Sequence, residues 1–354
     1  MRSFLSNLLF PLAVMSSFCA GAQDARFSNW AATPQLVNPA LTGLMNGEYR
    51  VTANFRDLYS SRLGAEGFRS VAAGVEMRRP AGNGNFYGLG LQVQQDQGGT
   101  SEFRRSQALL SGSYQQGLGS LGRRGAGHFI VGGAQVGVGT RGIDINKLVF
   151  SNQYFVDVTT RDAYLDTNLP TGELFGGSNS LYVDASAGVG YFANFGDRKG
   201  FYVGGAVYHL NAPDVSPTGG APDRLDQRYT FHAGGELPVG GGSMSLLPSA
   251  RVLTQGPGFD ALVGSSLRYT ERGWREVALR AGLYAQVNNE LEGAGLHAMI
   301  VSIGLETERL RFGAAYDIAT DEIGTITNSR GGWELSVIYV QPASYRDRVI
   351  CPKF

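Results

Sequence analysis

Two runs, Gly117-x-Gly119-x-x-Gly122 and Gly137-x-Gly139-x-x-Gly142, have the spacing of a phosphate cradle. That chemistry needs the glycines to lead into a helix whose first N–H groups hold the anion. Neither run opens an amphipathic helix, and 51 of the 354 residues are glycine, so chance accounts for both and no nucleotide is expected. The four histidines, His128, His209, His232 and His297, stand apart from one another and from cysteine. Metal centres draw on ligands at close spacing, so no metal or other cofactor is expected, and the histidines read as lumen or interface residues. A hydrolase would need a serine within hydrogen-bond reach of a histidine, and nothing in the spacing pairs the two. No catalytic residue is assigned. The stretch 143–181 sets Asp144, Asp157, Asp162, Asp166 and Glu173 against Lys147 and Arg161. It reads first as a solvated loop, with a bound cation or a docking face for a secreted partner as the alternatives.

Any of these groups must be positioned by strands. In 182–195, Val183, Ala185, Ala187, Val189, Tyr191, Ala193 and Phe195 share one parity. Tyr182, Asp184, Ser186, Gly188, Gly190, Phe192 and Asn194 share the other, a set dominated by polar and small residues. A period of two over this length predicts a strand with one apolar face and one face that tolerates charge. Residues 196–200 supply a turn, and Phe201–Asn211 reads as the returning strand, stopped by Pro213 and Pro217. Such strands exceed the roughly 5–6 residues usual in soluble sheets and match the roughly 9–11 a tilted strand needs to cross a bilayer.

Composition agrees. The formal net charge is zero, which removes any electrostatic argument for nucleic acid. Charged residues make up 17%, below the roughly 25% of soluble domains. Excess glycine without a collagen period suits a barrel, where it relieves crowding on the inner face and permits curvature. Arg2, the apolar run Phe4–Phe18 and the small residues Ala20-Gly21-Ala22 predict a secretory signal peptide cleaved before Gln23. This reading favours ordinary cleavage over lipid attachment at Cys19, and leaves Cys351 as the one mature cysteine, without an internal disulfide. No later run approaches 18 apolar residues, so no spanning helix is expected.

Strand character recurs at 48–56, 68–79, 84–95, 102–116, 126–142, 182–195, 201–211, 226–239, 243–254, 259–269, 274–286, 296–306, 308–318 and 332–341. That gives about fourteen strands, an even number as single-chain bacterial barrels require. Phe259, Val263, Leu267 and Tyr269 oppose Asp260 and Arg268; Leu279 and Leu283 oppose Glu276, Arg280 and Gln286; Phe312 and Tyr316 oppose Arg309, Arg311 and Asp317. The apolar sets should face lipid and the polar sets the lumen, where Arg268, Arg280, Arg311, Asp260 and Asp317 would form a network of charge pairs. Residues 126–142 alternate poorly and suggest a bulge. With the N-terminus periplasmic, the inner connections are mostly short, while 57–67, 143–181, 212–225, 287–295 and 319–331 fall outside and are long, the outer-membrane pattern.

Together the motifs resemble the PorP/SprF-type outer-membrane proteins of type IX secretion and gliding. The resemblance rests on Gln23–Ser28 with Asn38-Pro39-Ala40-Leu41-Thr42-Gly43, then Gly88–Leu91 with Asp96–Gly99, and Gly142-Ile143-Asp144 with Lys147–Phe150. Tyr208-His209-Leu210-Asn211-Ala212-Pro213, Gly313–Asp317, Trp333–Leu335 and Cys351–Phe354 complete it. It departs at Arg56–Tyr59, which lacks the family's usual Trp, and at Trp333, where His is commoner.

The expected architecture is an all-β transmembrane antiparallel barrel in the outer membrane: signal peptide 1–22, a periplasmic or plug segment 23–47, barrel 48–341 and tail 342–354. The resemblance implies a non-enzymatic protein that helps secrete or anchor at the cell surface a type IX cargo of adhesin or gliding type. Its partners would be outer-membrane lipid, that cargo and periplasmic parts of the machinery, with no nucleic acid. The alternative is a channel for small or apolar solutes. Among the motif residues, Asn38, Pro39 and Ala40 would fix the N-terminal segment against or inside the barrel. Asp144 and Lys147 would order the start of the long loop, and His209 and Pro213 would sit beside the docking loops. Tyr316 and Asp317 are carried as motif residues.

Overall fold

The computed structural model describes residues 24–120, 127–157, 159, 160, 162–166, 169, 179–196, 198–216, 222–240, 242–270, 277–290, 293–321, 324 and 327–343. The expected signal peptide 1–22 with Cys19, and Gly122, Arg161, Glu173, Pro217, Glu276 and Cys351–Phe354, lie outside the described residues.

Alternating sequence becomes strand after strand. In chain order these are β1 (Tyr49–Leu58), β2 (Phe68–Gly82), β3 (Asn85–Gly98), β4 (Phe103–Ser120) and β5 (Gly127–Gly142). A short hairpin follows, β6 (Tyr154–Val156) and β7 (Ala163–Leu165). Then come β8 (Asn179–Asn194), β9 (Gly200–Tyr208), β10 (Arg228–Val239), β11 (Met244–Gln255) and β12 (Gly258–Tyr269). The series ends with β13 (Ala278–Glu290), β14 (Gly293–Glu306), β15 (Leu310–Ala319) and β16 (Arg330–Gln341). All but β6 and β7 close into one antiparallel barrel of fourteen strands, as the sequence predicts. Each barrel strand pairs with its neighbours in the chain; β5 meets β8 directly, with Ala134 opposite Ala187, and β1 closes on β16, with Ala53 opposite Val337. Nine to eighteen residues per strand suffice to cross a tilted hydrocarbon layer.

Polarity is inverted relative to a soluble protein. Val183, Phe231, Val263, Leu283 and Ile303 are exposed, while Arg50, Glu76, Gln92, Arg105, Asp260 and Glu334 are buried inside. The parities assigned to β8, β12, β13 and β15 all point this way. A barrel that is apolar outside and charged inside buries its apolar face only in lipid.

Two details differ from expectation. The bulge expected in 126–142 lies on its partner, where the register shifts between Gly117 and Gly119. The long connection expected at 287–295 is short, because β13 continues to Glu290 and β14 resumes at Gly293 beyond a register shift at Gln286/Val287. Asn288, Asn289 and Glu290 hide this extension, since backbone pairing above the lipid needs no apolar face. At the opposite end the connections include a two-residue turn, Asn83-Gly84, with φ of 52° and 76°. Positive φ at both central positions gives a hairpin turn that matches strand twist, and Asn-Gly is the pair that tolerates it.

The lumen is not empty. Residues 24–47 run through it as three single 3-10 turns, Trp30–Ala32, Pro34–Leu36 and Pro39–Leu41. Trp30, Val37, Ala40, Leu41 and Leu44 pack on inward-facing Phe86, Phe129, Phe192, Tyr202, Leu262 and Ile300, with Phe129 stacked on Phe192 at 4.8 Å. Phe27 and Leu36 pack on Ala72 and Leu109. The segment enters beside the ends of β4, β9 and β11 and leaves where Glu48 N–H donates to Gln341 O (2.9 Å). Asp24 therefore sits at the end carrying the long connections, and Glu48 at the end of the tight turns. An even strand number predicts that the chain starts on the tight-turn side; the passage through the lumen moves its first described residue to the other.

Candidate functional site

An irregular segment inside a barrel has no sheet partners, so its N–H and C=O groups must be met by side chains. The inward-facing charged residues do this. Glu334 accepts from Ser28 N (2.7 Å) and Asn29 N (2.9 Å), and Glu76 from Gly43 N (2.7 Å). Arg251 donates to Phe27 O (2.7 Å), Arg228 to Leu36 O (2.9 Å), Arg50 to Leu44 O (3.2 Å) and Arg78 to Met45 O (3.0 Å). Arg56 reaches Arg26 O and pairs with Asp317. Such charge-assisted bonds are the stronger kind. Charge pairs do form in the lumen, but with partners other than those expected: Asp260 meets the plug residue Arg26 (3.2 Å) and Arg251 (3.3 Å), Asp317 meets Arg56, and Glu306 meets Arg268 and Arg280.

The densest cluster lies where the plug begins. Asp24 pairs with Arg105, Arg228 Nη1 (2.6 Å) and His209 Nε2 (2.9 Å), and Gln255 Oε1 accepts from Asp24 N (3.0 Å). The other imidazole nitrogen, His209 Nδ1, lies 2.9 Å from Asp184 Oδ2. Tyr182 hydroxyl backs Arg105 at 3.2 Å. Burial opposes the Asp24 charge, yet Arg105, His209 and Arg228 hold its carboxyl well below the usual range. Burial likewise opposes a charged His209, but Asp24 and the hydrogen bonds to Asp184 and Asp24 raise it above its ordinary value. The cluster is an electrostatic latch on Asp24, the first described residue of the plug.

The motif residues fall in five places. Asn38 lies at mid-lumen, fully buried, its side chain accepting from Ala40 N (2.8 Å) as cap of the third turn. Its amide nitrogen donates to Val189 O (3.0 Å) and Gly205 O (3.2 Å) and lies 3.0 Å from His232 Nε2, tying the plug to β8, β9 and β10. Pro39 and Ala40 lie over Gly133, where a Cβ would come within 2.6 Å of Ala40 Cα. His209 belongs to the latch and adopts φ 57° directly after β9. Pro213 is buried in the following connection, its carbonyl accepting from Leu225 N (2.9 Å). Asp144 and Lys147 tie the start of the long connection to the neighbouring loop: Asp144 N donates to Ser101 O (2.8 Å), and Lys147 Nζ lies 2.5 Å from Glu102 Oε1. Tyr316 points outward, opposite Trp333 and Val301, into the lipid-facing surface, and Asp317 points inward to Arg56. His209 and Asn38–Ala40 thus act on one plug, whereas Asp144, Lys147 and Tyr316 are remote from it.

The long connection itself carries structure. β6 and β7 form an exposed hairpin on which Phe155 stacks with Tyr164 at 5.6 Å, and Tyr154, Val156 and Leu165 are also exposed. Among the described residues no group of three or more His, Cys, Asp or Glu is placed to hold a metal ion.

A family model described as "Type IX secretion system membrane protein PorP/SprF" matches residues 20–339. The chain belongs to this family. This PorP/SprF protein is an outer-membrane β-barrel of the type IX secretion system. No curated protein matches it. Among solved structures it is similar to the toluene transporter TbuX of Ralstonia pickettii (10% identity, 90% of this chain and 95% of that one, TM-score 0.45). The CymD monoaromatic hydrocarbon channel (10%, 90% and 94%, 0.44) and BamA of Haemophilus ducreyi lacking POTRA domains 1–3 (8%, 83% and 70%, 0.41) are similar to it as well.

Sequence reading assigned Asn38 and His209 but not Asp24, Arg105, Arg228, Asp184 or Glu334. A signal was present. Phe86, Phe129, Phe192, Leu262 and Ile300 are apolar residues on the lumen parity, and apolar side chains there require something inside the barrel to cover them.

Proposed function

We propose that this PorP/SprF barrel is a non-enzymatic partner that assists secretion or cell-surface anchoring of a type IX cargo protein of adhesin or gliding type. The observation that carries the reading is the occupied lumen. A barrel filled by its own N-terminal segment offers its two ends, rather than a pore, to other molecules. In this reading residues 1–22 are the signal peptide, 23–47 the plug, 48–341 the barrel and 342–354 a tail. The end bearing 143–178 faces outward and receives the cargo on the β6–β7 hairpin and its flanks, which Asp144 and Lys147 hold against the 99–102 connection. The opposite end is available to periplasmic components of the machinery.

The test replaces residues 145–178 by a short Gly/Ser linker. Barrel assembly, followed by heat-modifiable electrophoretic mobility, should be unchanged, while surface display of the cargo is lost. Undiminished display by a correctly assembled deletion variant would sink the docking role.

A further inference from the structure

The lipid-facing wall is not smooth. Across β1–β5 and β8, towards the end carrying the long connections, it holds an open trough of about 640 Å³. Sheet register explains its shape. One outward-facing row runs Phe55, Val71, Gln95, Ser106, Thr140 and Leu181, each paired with the next. Large apolar side chains stand at both ends of this row and polar ones between them. In the next row towards the barrel middle, Ala73 and Ala108 alternate with Val93 and Val138, which gives the trough a floor of short apolar side chains.

The row on the loop side of the polar stretch is basic. Arg69, Gln97 and Arg104 follow one another there on β2, β3 and β4. Arg69 Nε is steadied by Asp57 Oδ2 (3.3 Å), and Arg104 is exposed and, among the described residues, paired with no carboxylate. Further along the same strands the outward side chains are Leu91, Leu110 and Val136, all exposed to lipid. From the alanine floor to the arginines is four residues, roughly 13 Å at about 3.3 Å per residue. Over that distance the wall changes from methyl groups to an amide and hydroxyls, and then to guanidinium. This is the polarity profile of an amphiphile lying along the strands with its head at the loop end.

We propose that this trough is a binding site for one phosphate-bearing membrane lipid. Its phosphate lies on Arg104, whose planar fork of N–H donors matches an oxyanion, and the rest of the headgroup reaches Gln97 and Arg69. The arginines stand two strands apart, roughly 10 Å, a span bridged by a headgroup and not by a lone phosphate. Ester carbonyls of the lipid accept from Gln95, Ser106 and Thr140, and an acyl chain covers Ala73 and Ala108. The volume falls within the roughly 300–1,000 Å³ of small-molecule sites, which fits one chain and its head. Because the trough is continuous with the lipid-facing wall, the ligand arrives by lateral diffusion. With 143–178 outward, it belongs to the outer leaflet. The site is independent of the cargo role, so the loop deletion and the lipid titration fail separately.

Native mass spectrometry of the detergent-solubilised full-length protein, titrated separately with dimyristoyl phosphatidylglycerol and dimyristoyl phosphatidylcholine, tests the site. A saturable adduct of one phosphatidylglycerol is expected, with the zwitterionic lipid bound about tenfold more weakly. R104Q should weaken the anionic adduct about fivefold. R330Q removes an exposed arginine at the same end of the barrel, on β16, and should leave the adduct unchanged. A108W fills the floor and should abolish binding; A73L serves if A108W fails to assemble. Equal binding of the two lipids, no adduct, equal losses in R104Q and R330Q, or full binding by the assembled floor variants would overturn the proposal. So would a dimer that A108W disperses, since a second copy would then occupy the trough.

Discussion

Replacing Asp24 by Ala removes the anion on which Arg105, Arg228 and His209 converge. Deleting one partner of a buried ion pair costs about 3–5 kcal/mol, because the other charge stays buried. The structure places the effect at the low end. Arg105 keeps Tyr182 and Gln107, Arg228 keeps Leu36 O, and His209 keeps Asp184. About 3 kcal/mol corresponds to roughly a hundredfold rise in the population with the first plug residues detached. The perturbation stays local, since Asn38 and Glu334 still hold the segment further along. Arg26, two residues away, provides the reporter: in the native state it pairs with Asp260 (3.2 Å) and its carbonyl is held by Arg56, out of reach of trypsin. When opening is fast relative to cleavage, the rate follows the open population. Cleavage after Arg26 should therefore accelerate about a hundredfold in D24A, with heat-modifiable mobility of the barrel unchanged. A cleavage rate equal to wild type in a correctly folded D24A barrel would refute the latch.

Other perturbations probe the plug differently. Gly188→Leu drives a side chain into Asn38, since even a Cβ there would lie 2.0 Å from Asn38 Oδ1; planar-bilayer recordings should change from closed to intermittently conducting, and a still-sealed variant would mean the plug is held without Asn38. The latch should also depend on pH. Asp24, depressed in the folded state, stabilises fully above its ordinary 3.8 and loses that contribution as pH falls through its lowered value. His209, raised in the folded state, stabilises fully below its ordinary 6.5 and loses it as pH rises through its raised value. Labelling of a cysteine introduced at residue 26, normalised at each pH to the same cysteine in unfolded protein, should thus be slowest between 3.8 and 6.5 and faster once the pH has risen through the raised His209 value; H209Q should abolish the alkaline arm alone.

The barrel was legible because its signal is redundant. Val263, Leu267 and Tyr269 against Asp260 and Arg268 define one strand, and their neighbours in space repeat the rule with the same parity. The plug was less legible because it obeys no period. Of its three 3-10 turns, the second and third open on Pro34 and Pro39, the latter with the Asn38 cap, and little else marks them in the sequence; the partners of the segment's backbone groups lie as far as 306 residues away, as for Ser28 and Glu334. The β6–β7 hairpin escaped for another reason: three-residue strands are too short to establish an alternation. Charge pairing in the lumen was foreseen in kind, but its partners were not, because Asp260 and Asp317 are balanced partly through residues that belong to no strand or to distant ones.

A chain of fourteen barrel strands ordinarily returns to the side from which it set out. Here the traverse from Asp24 to Gly47 adds a fifteenth passage, so Asp24 and Gln341 lie on opposite faces of the membrane. Because β1 is joined to β16, that passage has to be in place when the two edges meet, or be drawn with Trp30 through a finished ring. Biogenesis therefore carries a constraint that the finished fold conceals. A bulky epitope fused ahead of residue 24 should stall closure, whereas the same epitope after residue 343 should leave it unaffected.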